Sequence, residues 1–180
     1  MRRALAGMFA FASLLTASTA SAELVGRIDA EAALLIDKAG PATLLAGGGG
    51  GELLFGYSFE LYPVIVVAEL GGSFHGAGGD ATYLVPRAVG GLRVGLSLDV
   101  EPSAAIHFGY GNRRTTVSTA AGDATASAHA FTFDLELRCD FRLERSFTIG
   151  PQLQYNLLVA TADGSELHGL SLGGGAAVWW

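Results

Sequence analysis

Residues 128–143 read AHAFTFDLELRCDFRL, and this stretch decides the fold. Seven of its eight odd-numbered residues are apolar, whereas six of its eight even-numbered residues are polar. Because successive side chains of an extended chain point to opposite faces, this period of two predicts a β-strand with one apolar and one polar face. Five charged residues follow one another along the polar face, from Asp134 to Arg142. The predicted strand is far longer than the usual length of about five or six residues, which argues against an ordinary β-sandwich.

The same alternation recurs in seven further segments, so the chain is predicted to be all-β with eight strands. No segment shows a sustained period of 3.6 residues, which predicts almost no helix beyond the N-terminal region. The predicted strands lie near residues 24–36, 43–59, 64–75, 84–96, 103–117, 128–143, 148–159 and 167–180.

The predicted connections alternate between short and long along the chain. This alternation is typical of an antiparallel up-and-down transmembrane β-barrel, which has tight periplasmic turns and longer external loops. With eight strands, both ends of the barrel chain are expected on the periplasmic side. The short connections are 60–63, 97–102 and 143–146, and the long ones are 37–42, 76–81, 118–127 and 161–166.

The N-terminal 22 residues have the pattern of a secretory signal peptide. The start MRR is positive, residues 4–15 are almost entirely apolar, and a run of small residues ends at Ala22. An uncleaved anchor helix is disfavoured because the apolar stretch is well short of the ~20 residues that span a bilayer. We therefore expect cleavage between Ala22 and Glu23, with 1–22 as the signal peptide and 23–180 as the barrel.

The composition excludes several other classes of protein. The chain has 180 residues, of which 26 are glycine, one is cysteine and 50% are hydrophobic. A single cysteine cannot form an intrachain disulfide, and this hydrophobic content argues against disorder. The 11 basic residues are outnumbered by 17 acidic ones and are not clustered, which argues against nucleic-acid binding.

Three features favour a membrane barrel over a soluble barrel with its faces inverted. The predicted strands exceed the ~9–11 residues that cross a bilayer at a tilt. The chain ends inside its last strand with Trp179 and Trp180. The apolar faces also end in aromatic residues, which resembles the two interfacial girdles of membrane barrels. These residues are Phe59, Phe141, Phe147 and Trp180 toward one end and Phe74, Tyr110 and Phe131 toward the other.

The signal peptide, the eight amphipathic strands and the terminal aromatic residue resemble the small outer-membrane β-barrel families of the OmpA transmembrane-domain or OmpX/Ail type. The resemblance implies a location in the outer membrane of a Gram-negative bacterium, among its lipids and lipopolysaccharide. It also implies that Trp180 is the signal recognised by the barrel-assembly machinery. The predicted external loops are shorter than those of adhesive members, which argues against an adhesin.

The polar faces are expected to bring charged residues of nearly balanced sign into the lumen. An eight-stranded barrel is only wide enough for side chains to fill its interior, so we interpret them as an ion-pair network that closes the bore. The acids of the sixth strand are expected to pair chiefly with Arg87, Arg93 or Arg113. The predicted network comprises Arg27, Asp29, Glu31, Glu52, Glu69, Arg87, Arg93, Arg113, Asp134, Glu136, Arg138, Asp140 and Arg142.

Small residues are expected to make room for these charges across the bore. Gly47–Gly51 lies on the second strand, opposite the charged sixth strand, and lacks the Lys-Ser/Thr of a phosphate-binding loop. Residues 169–175 on the eighth strand place glycines opposite Arg87 and Arg93. Pro86 and Pro151 fall inside strands, where a lost ladder N–H predicts bulges.

The candidate catalytic and metal sites are weak. Ser73 and His75 share an inward face, as in the Ser–His pair of outer-membrane lipid A deacylases, but the next inward acid is Glu69 and no further orienting partner is evident. His129 and His168 have no suitable nucleophile on their own face, and the histidines lack metal-ligand spacing. Cys139 on the apolar face is interpreted as a small hydrophobic residue. The sequence therefore predicts no enzyme, no cofactor and no metal.

The leading interpretation is a non-enzymatic outer-membrane barrel with a plugged lumen and a structural or surface-interaction role. A narrow channel for small solutes or protons is the first alternative. A soluble, periplasmic lipid-binding barrel is the second. The sequence does not identify a surface ligand.

Overall fold

The computed structural model describes residues 22–39, 42–79, 81–119 and 122–180. Within these ranges eight antiparallel strands pair in chain order, and β1 also pairs with β8, so the sheet closes into a barrel. The prediction of an eight-stranded up-and-down barrel is confirmed. The strands are β1 (Ala22–Ala39), β2 (Ala42–Leu61), β3 (Val64–Gly79), β4 (Thr82–Leu96), β5 (Val100–Thr119), β6 (Gly122–Glu144), β7 (Phe147–Ala160) and β8 (Glu166–Trp179).

The two faces of each strand follow the alternation in the sequence. On β6, Asp134 and Glu136 are buried in the lumen, whereas Leu135 and Leu137 are 43% and 60% exposed on the outer wall. Because the barrel wall is a single sheet, every residue faces either the lumen or the outside. Most of the large hydrophobic residues therefore cover the outside, and the buried charged residues lie in the interior. No helix among the described residues is long and apolar enough to cross a lipid bilayer.

The barrel has two different ends. The terminal end carries the start of β1, the end of β8 and the connections β2–β3, β4–β5 and β6–β7. At this end Leu24 and Trp180 exchange two backbone hydrogen bonds of 2.9 and 3.0 Å. The distal end carries the other four connections.

The prediction of longer loops at the distal end is wrong for three of the four connections. β1 ends at Ala39 and β2 begins at Ala42, and the β3–β4 and β5–β6 connections are equally short. Only β7 and β8 are joined by a longer segment, 161–165. The strands continue into the segments predicted to be loops. Small and hydroxyl-bearing residues keep the backbone ladder paired there, although the alternation of apolar residues has stopped.

The hairpin formed by β5 and β6 extends beyond its neighbours at the distal end. β6 pairs with β7 only as far as Ala130, which lies opposite Ala160. Its pairing with β5 continues to Gly122, opposite Thr119. The distal end therefore carries one projecting hairpin rather than short loops alone.

The bulges expected at the two prolines are not present. Pro86 lies in register opposite Phe74 on β3, and Pro151 lies in register opposite Gly174 on β8. On its other side each proline has no ladder partner: Pro86 is unpaired toward β5, and Pro151 is unpaired toward β6. Proline removes an N–H on one side of a strand without inserting a residue, so the register is kept. The shift that does occur in the β6–β7 ladder lies between Arg142 and Glu144.

Candidate functional site: the charged lumen

Arg27 on β1 lies at the centre of the lumen and binds three carboxylates. Its Nη1 and Nη2 donate to the two oxygens of Glu136 at 2.6 and 2.8 Å. Nη2 also donates to Glu52 at 3.2 Å, and Nε lies 2.9 Å from Asp29. The planar guanidinium suits this arrangement because its five N–H groups form a fixed fork that matches carboxylate oxygens.

Arg138 and Arg93 continue this network toward the terminal end. Arg138 bonds Asp29 and donates from Nε to Asp140 at 2.7 Å. Arg93 in turn lies 3.7 Å from Asp140 and 2.9 Å from Glu69. These contacts link acids and arginines from β1, β3, β4 and β6 into one continuous chain across the bore.

A second group surrounds Arg87 nearer the distal end. Arg87 donates from Nη1 to Asp134 at 2.8 Å and from Nε to the Ser73 hydroxyl at 2.8 Å. Its Nη2 lies 3.2 Å from Nδ1 of His75, whose Nε2 bonds Glu31. The arginine thus holds one acid of β6 directly and is linked to an acid of β1 through a histidine.

Two predicted members lie at the margins of the lumen rather than in these groups. Arg113 is near the distal end, 4.0 Å from Asp37 and 3.0 Å from the Ser165 hydroxyl, and does not pair with β6 as expected. Arg142 lies at the terminal end and donates to Glu101 at 2.8 Å. The stagger of the strands around the barrel separates both from the central acids.

Sequence reasoning did not assign several lumen residues to the network. His107 bonds Glu69 at 3.1 Å, and Gln152 accepts a hydrogen bond from Arg138 at 2.9 Å. Their positions on the polar faces of β5 and β7 were a usable signal. Asp37 and Glu101 were missed because they lie near strand ends, where the alternation gives little guidance.

Two clusters of buried apolar residues lie in the lumen, one on each side of the charges. Trp179 lies inside the barrel at the terminal end, buried with Val25, Ile65 and Val67. The guanidinium groups of Arg93 and Arg142 lie 5.9 and 5.7 Å from the Trp179 ring. The distal cluster comprises Leu35, Ala46, Ala77, Ala81, Tyr83, Val85, Ala130, Leu158 and Leu167.

Two inward glycines of β8 lie against lumen charges of the neighbouring strand β1. A Cβ at Gly175 would collide with Asp29, and a Cβ at Gly173 would collide with Glu31. Within Gly47–Gly51, only the even-numbered residues have the lumen-facing parity of Glu52.

We expect Gly175→Ala to destabilise the barrel and Gly47→Ala to leave its stability nearly unchanged. The added methyl at Gly175 would overlap the Asp29 carboxylate, and such overpacking costs about 1–3 kcal/mol. Gly47 faces outward and has open space around it, so it is the matched control. Urea unfolding in lipid vesicles measures both. Equal stability of the two variants would contradict the packing described for Asp29.

The Ser73–His75 pair is not arranged for nucleophilic catalysis. Both ring nitrogens of His75 are engaged, one by Glu31 and the other by Arg87. The Ser73 hydroxyl accepts a hydrogen bond from Arg87 instead of donating one to the histidine. Both side chains are also buried in the lumen, away from a bulky substrate.

His129 and His168 both contact tyrosine side chains. His129 stacks on Tyr110 on the outer wall, with ring centroids 5.6 Å apart. The Tyr155 hydroxyl and Nδ1 of His168 are joined by a 2.7 Å hydrogen bond. Among the described residues no group of three or more His, Cys, Asp or Glu side chains is placed to hold a metal ion.

Solved structures resemble this barrel, although no protein-family model and no curated protein matches the sequence. Neisserial surface protein A aligns with a TM-score of 0.66 and 11% identity, over 88% of this chain and 98% of that one. Ail, the attachment invasion locus protein of Yersinia pestis, aligns with a TM-score of 0.49 and 15% identity, over 86% and 99%. The N-terminal domain of Pseudomonas aeruginosa OprF gives 0.45 and 12%, over 83% and 96%. The likeness to Neisserial surface protein A shows that the chain has the fold of the small outer-membrane β-barrels.

Proposed function

We propose that the protein is a non-enzymatic barrel of the outer membrane with a sealed lumen and a structural or surface-interaction role. The observation that carries this proposal is the interior, where acids and arginines bind one another between two apolar clusters. A charged group inside a narrow barrel is tolerated when it is paired and hydrogen-bonded. In this proposal, an interior filled in this way offers a solute no continuous aqueous path.

The outer wall supports the location in a membrane. Large hydrophobic side chains such as Leu70, Phe108 and Leu172 are 64–70% exposed there, which is unfavourable in water and favourable in lipid. Aromatic residues mark both edges of this apolar belt, including Tyr110 and Trp180. In this proposal the terminal end faces the periplasm and the distal end faces outward, where it meets lipopolysaccharide.

Two further parts of the proposal concern biogenesis. Residues 1–21 lie outside the described residues, and β1 begins at Ala22, next to the proposed cleavage site before Glu23. Trp180 is 59% exposed at the terminal end, where the barrel-assembly machinery would reach its ring. Both assignments rest on the sequence pattern and the position of these residues.

The proposal predicts that the purified barrel does not conduct. In a planar lipid bilayer at high salt, we expect no steady single-channel steps from the folded protein, since its charges bind one another instead of lining a water column. A general porin added to the same bilayer is the positive control. Reproducible steps that scale with the amount of folded protein would overturn the sealed lumen and favour the narrow channel.

A further inference from the structure

In the projecting part of β6, no described strand lies beside residues 123–128 on the side that faces away from β5, and we call this side the free edge. β7 ends at Ala160, opposite Ala130, and no other described strand reaches this side. The Thr161 N–H donates to the carbonyl of His129 at 2.9 Å, so the backbone of His129 points toward the free edge. Because this direction alternates in an antiparallel ladder, the N–H and C=O groups of Asp123, Thr125 and Ser127 also point there.

Apart from the charge of Asp123, the free edge carries none of the usual devices that prevent strand pairing. Exposed edges are commonly protected by lysine, proline, a bulge or a covering segment. Residues 123–128 read DATASA, with one acid, no basic residue and no proline, and their ladder with β5 is regular. Such an edge is a template for an additional strand.

Two charges on the outer face of this hairpin indicate which strand fits. Arg114 of β5 is exposed, and no described carboxylate lies within ion-pair distance of it. Asp123 of β6 is also exposed and accepts a 2.8 Å hydrogen bond from the Ser118 hydroxyl, with no described basic group within ion-pair distance. Each hairpin therefore presents one acid and one base that lack a partner of opposite charge.

We propose that the free edge pairs antiparallel with the free edge of a second copy, centred on Thr125. In this register Ser127 lies opposite Asp123 of the second copy, and Arg114 lies beside Ser127 on the other side. Arg114 and the second Asp123 are then two strand spacings apart, about 10 Å between Cα atoms, which the arginine side chain spans. The twofold symmetry forms this ion pair twice.

The orientation of the barrel decides where the second copy lies. Within one membrane, two β6 strands run in the same sense and cross at twice their tilt of about 35–45°, which prevents an antiparallel ladder. Copies in two facing membranes meet head to head with their β6 strands antiparallel. The pairing is therefore a contact between cells or vesicles. This inference rests on the proposed outward orientation of the distal end.

Clustering of lipid vesicles that carry the full barrel tests the pairing. We expect phosphatidylcholine vesicles with the native protein to cluster, measured by light scattering, whereas empty vesicles remain dispersed. Thr125→Pro is expected to lose clustering at least about tenfold, because proline removes an N–H that faces the free edge and leaves the β5 ladder intact. Thr125→Val keeps that N–H and is the matched control, so it should cluster as the native protein does.

Exchange of charge gives a second test that does not depend on proline. Vesicles with Arg114→Asp alone, or with Asp123→Arg alone, are expected to cluster weakly because like charges then face each other. A mixture of the two populations restores opposite charges at both positions and should cluster like the native protein. Dispersed native vesicles, unchanged clustering of Thr125→Pro, or a mixture no better than its components would each overturn the inference. These results leave the sealed lumen untouched, since conductance tests that separately.

Discussion

The variant Arg27→Met is expected to lose about 3–5 kcal/mol of unfolding free energy. This is the cost of removing one partner of a buried ion pair and leaving the other charge buried without it. Methionine fills a similar volume but offers no donor, so Glu136, Glu52 and Asp29 lose their shared guanidinium. All three carboxylates are buried, and water cannot replace the lost contacts without entering the bore. Urea unfolding of the protein in lipid vesicles, followed by tryptophan fluorescence, measures the loss.

Arg114→Met is the control that removes an arginine outside the lumen by the same substitution. Arg114 is exposed on the projecting hairpin and pairs with no described carboxylate, so its replacement should change stability by no more than about 0.5 kcal/mol. A similar small effect at Arg27 would mean that its three acids are hydrated in the native barrel.

The second large effect is expected on the opposite face of the wall. Leu135→Arg places a charge on the outer face of β6, between Ile106 of β5 and Tyr155 of β7. If this face lies in lipid near the bilayer midplane, the change costs about 2–4 kcal/mol. Unfolding in bilayers of defined thickness measures it.

Ser127→Arg on the same face of β6 is the matched control. Ser127 lies four residues beyond Phe131 on the projecting hairpin and is exposed above the apolar belt. Its replacement by arginine loses the hydrogen bond to Asn112 and places a second arginine beside Arg114 in water, so the cost should stay at or below about 1 kcal/mol. Leu135→Arg that inserts and folds like the native protein would mean that the outer wall of β6 does not face lipid.

The barrel itself could be predicted because its wall is one sheet. In such a wall the alternation within each strand determines which side chains face inward, without knowledge of distant packing partners. The segment 128–143 shows this directly, since its alternating residues separate cleanly into lumen and outer wall. Because each strand pairs with the next one along the chain, the order of strands in the sheet also follows directly from the sequence.

The partners inside the lumen could not be predicted, because they depend on the stagger of the strands. Arg27 and Glu136 are 109 positions apart in the chain and meet only when the barrel closes with one particular shear. Arg113, expected to meet β6, lies instead above the central acids. Alternation gives the face of a residue but not its height along the bore.

The length of the projecting hairpin was missed for a related reason. Beyond Phe131 the apolar alternation stops, so the pattern indicates a loop. The ladder continues there through polar contacts between the two strands, with the hydroxyls of Thr116 and Thr125 3.0 Å apart and Ser127 donating to Asn112 at 2.7 Å. Such pairs sustain a strand in water without an apolar face.

The most direct test of the proposed closed lumen is a double-mutant cycle between Arg27 and Glu136. Arg27→Met, Glu136→Gln and the combined variant are unfolded under the same conditions in lipid vesicles. If the two side chains bind each other in a dry interior, the combined loss should be smaller than the sum of the single losses by about 1–3 kcal/mol. Losses that add to within about 0.5 kcal/mol would contradict the account, because the two groups would then be separately solvated in an open, water-filled bore.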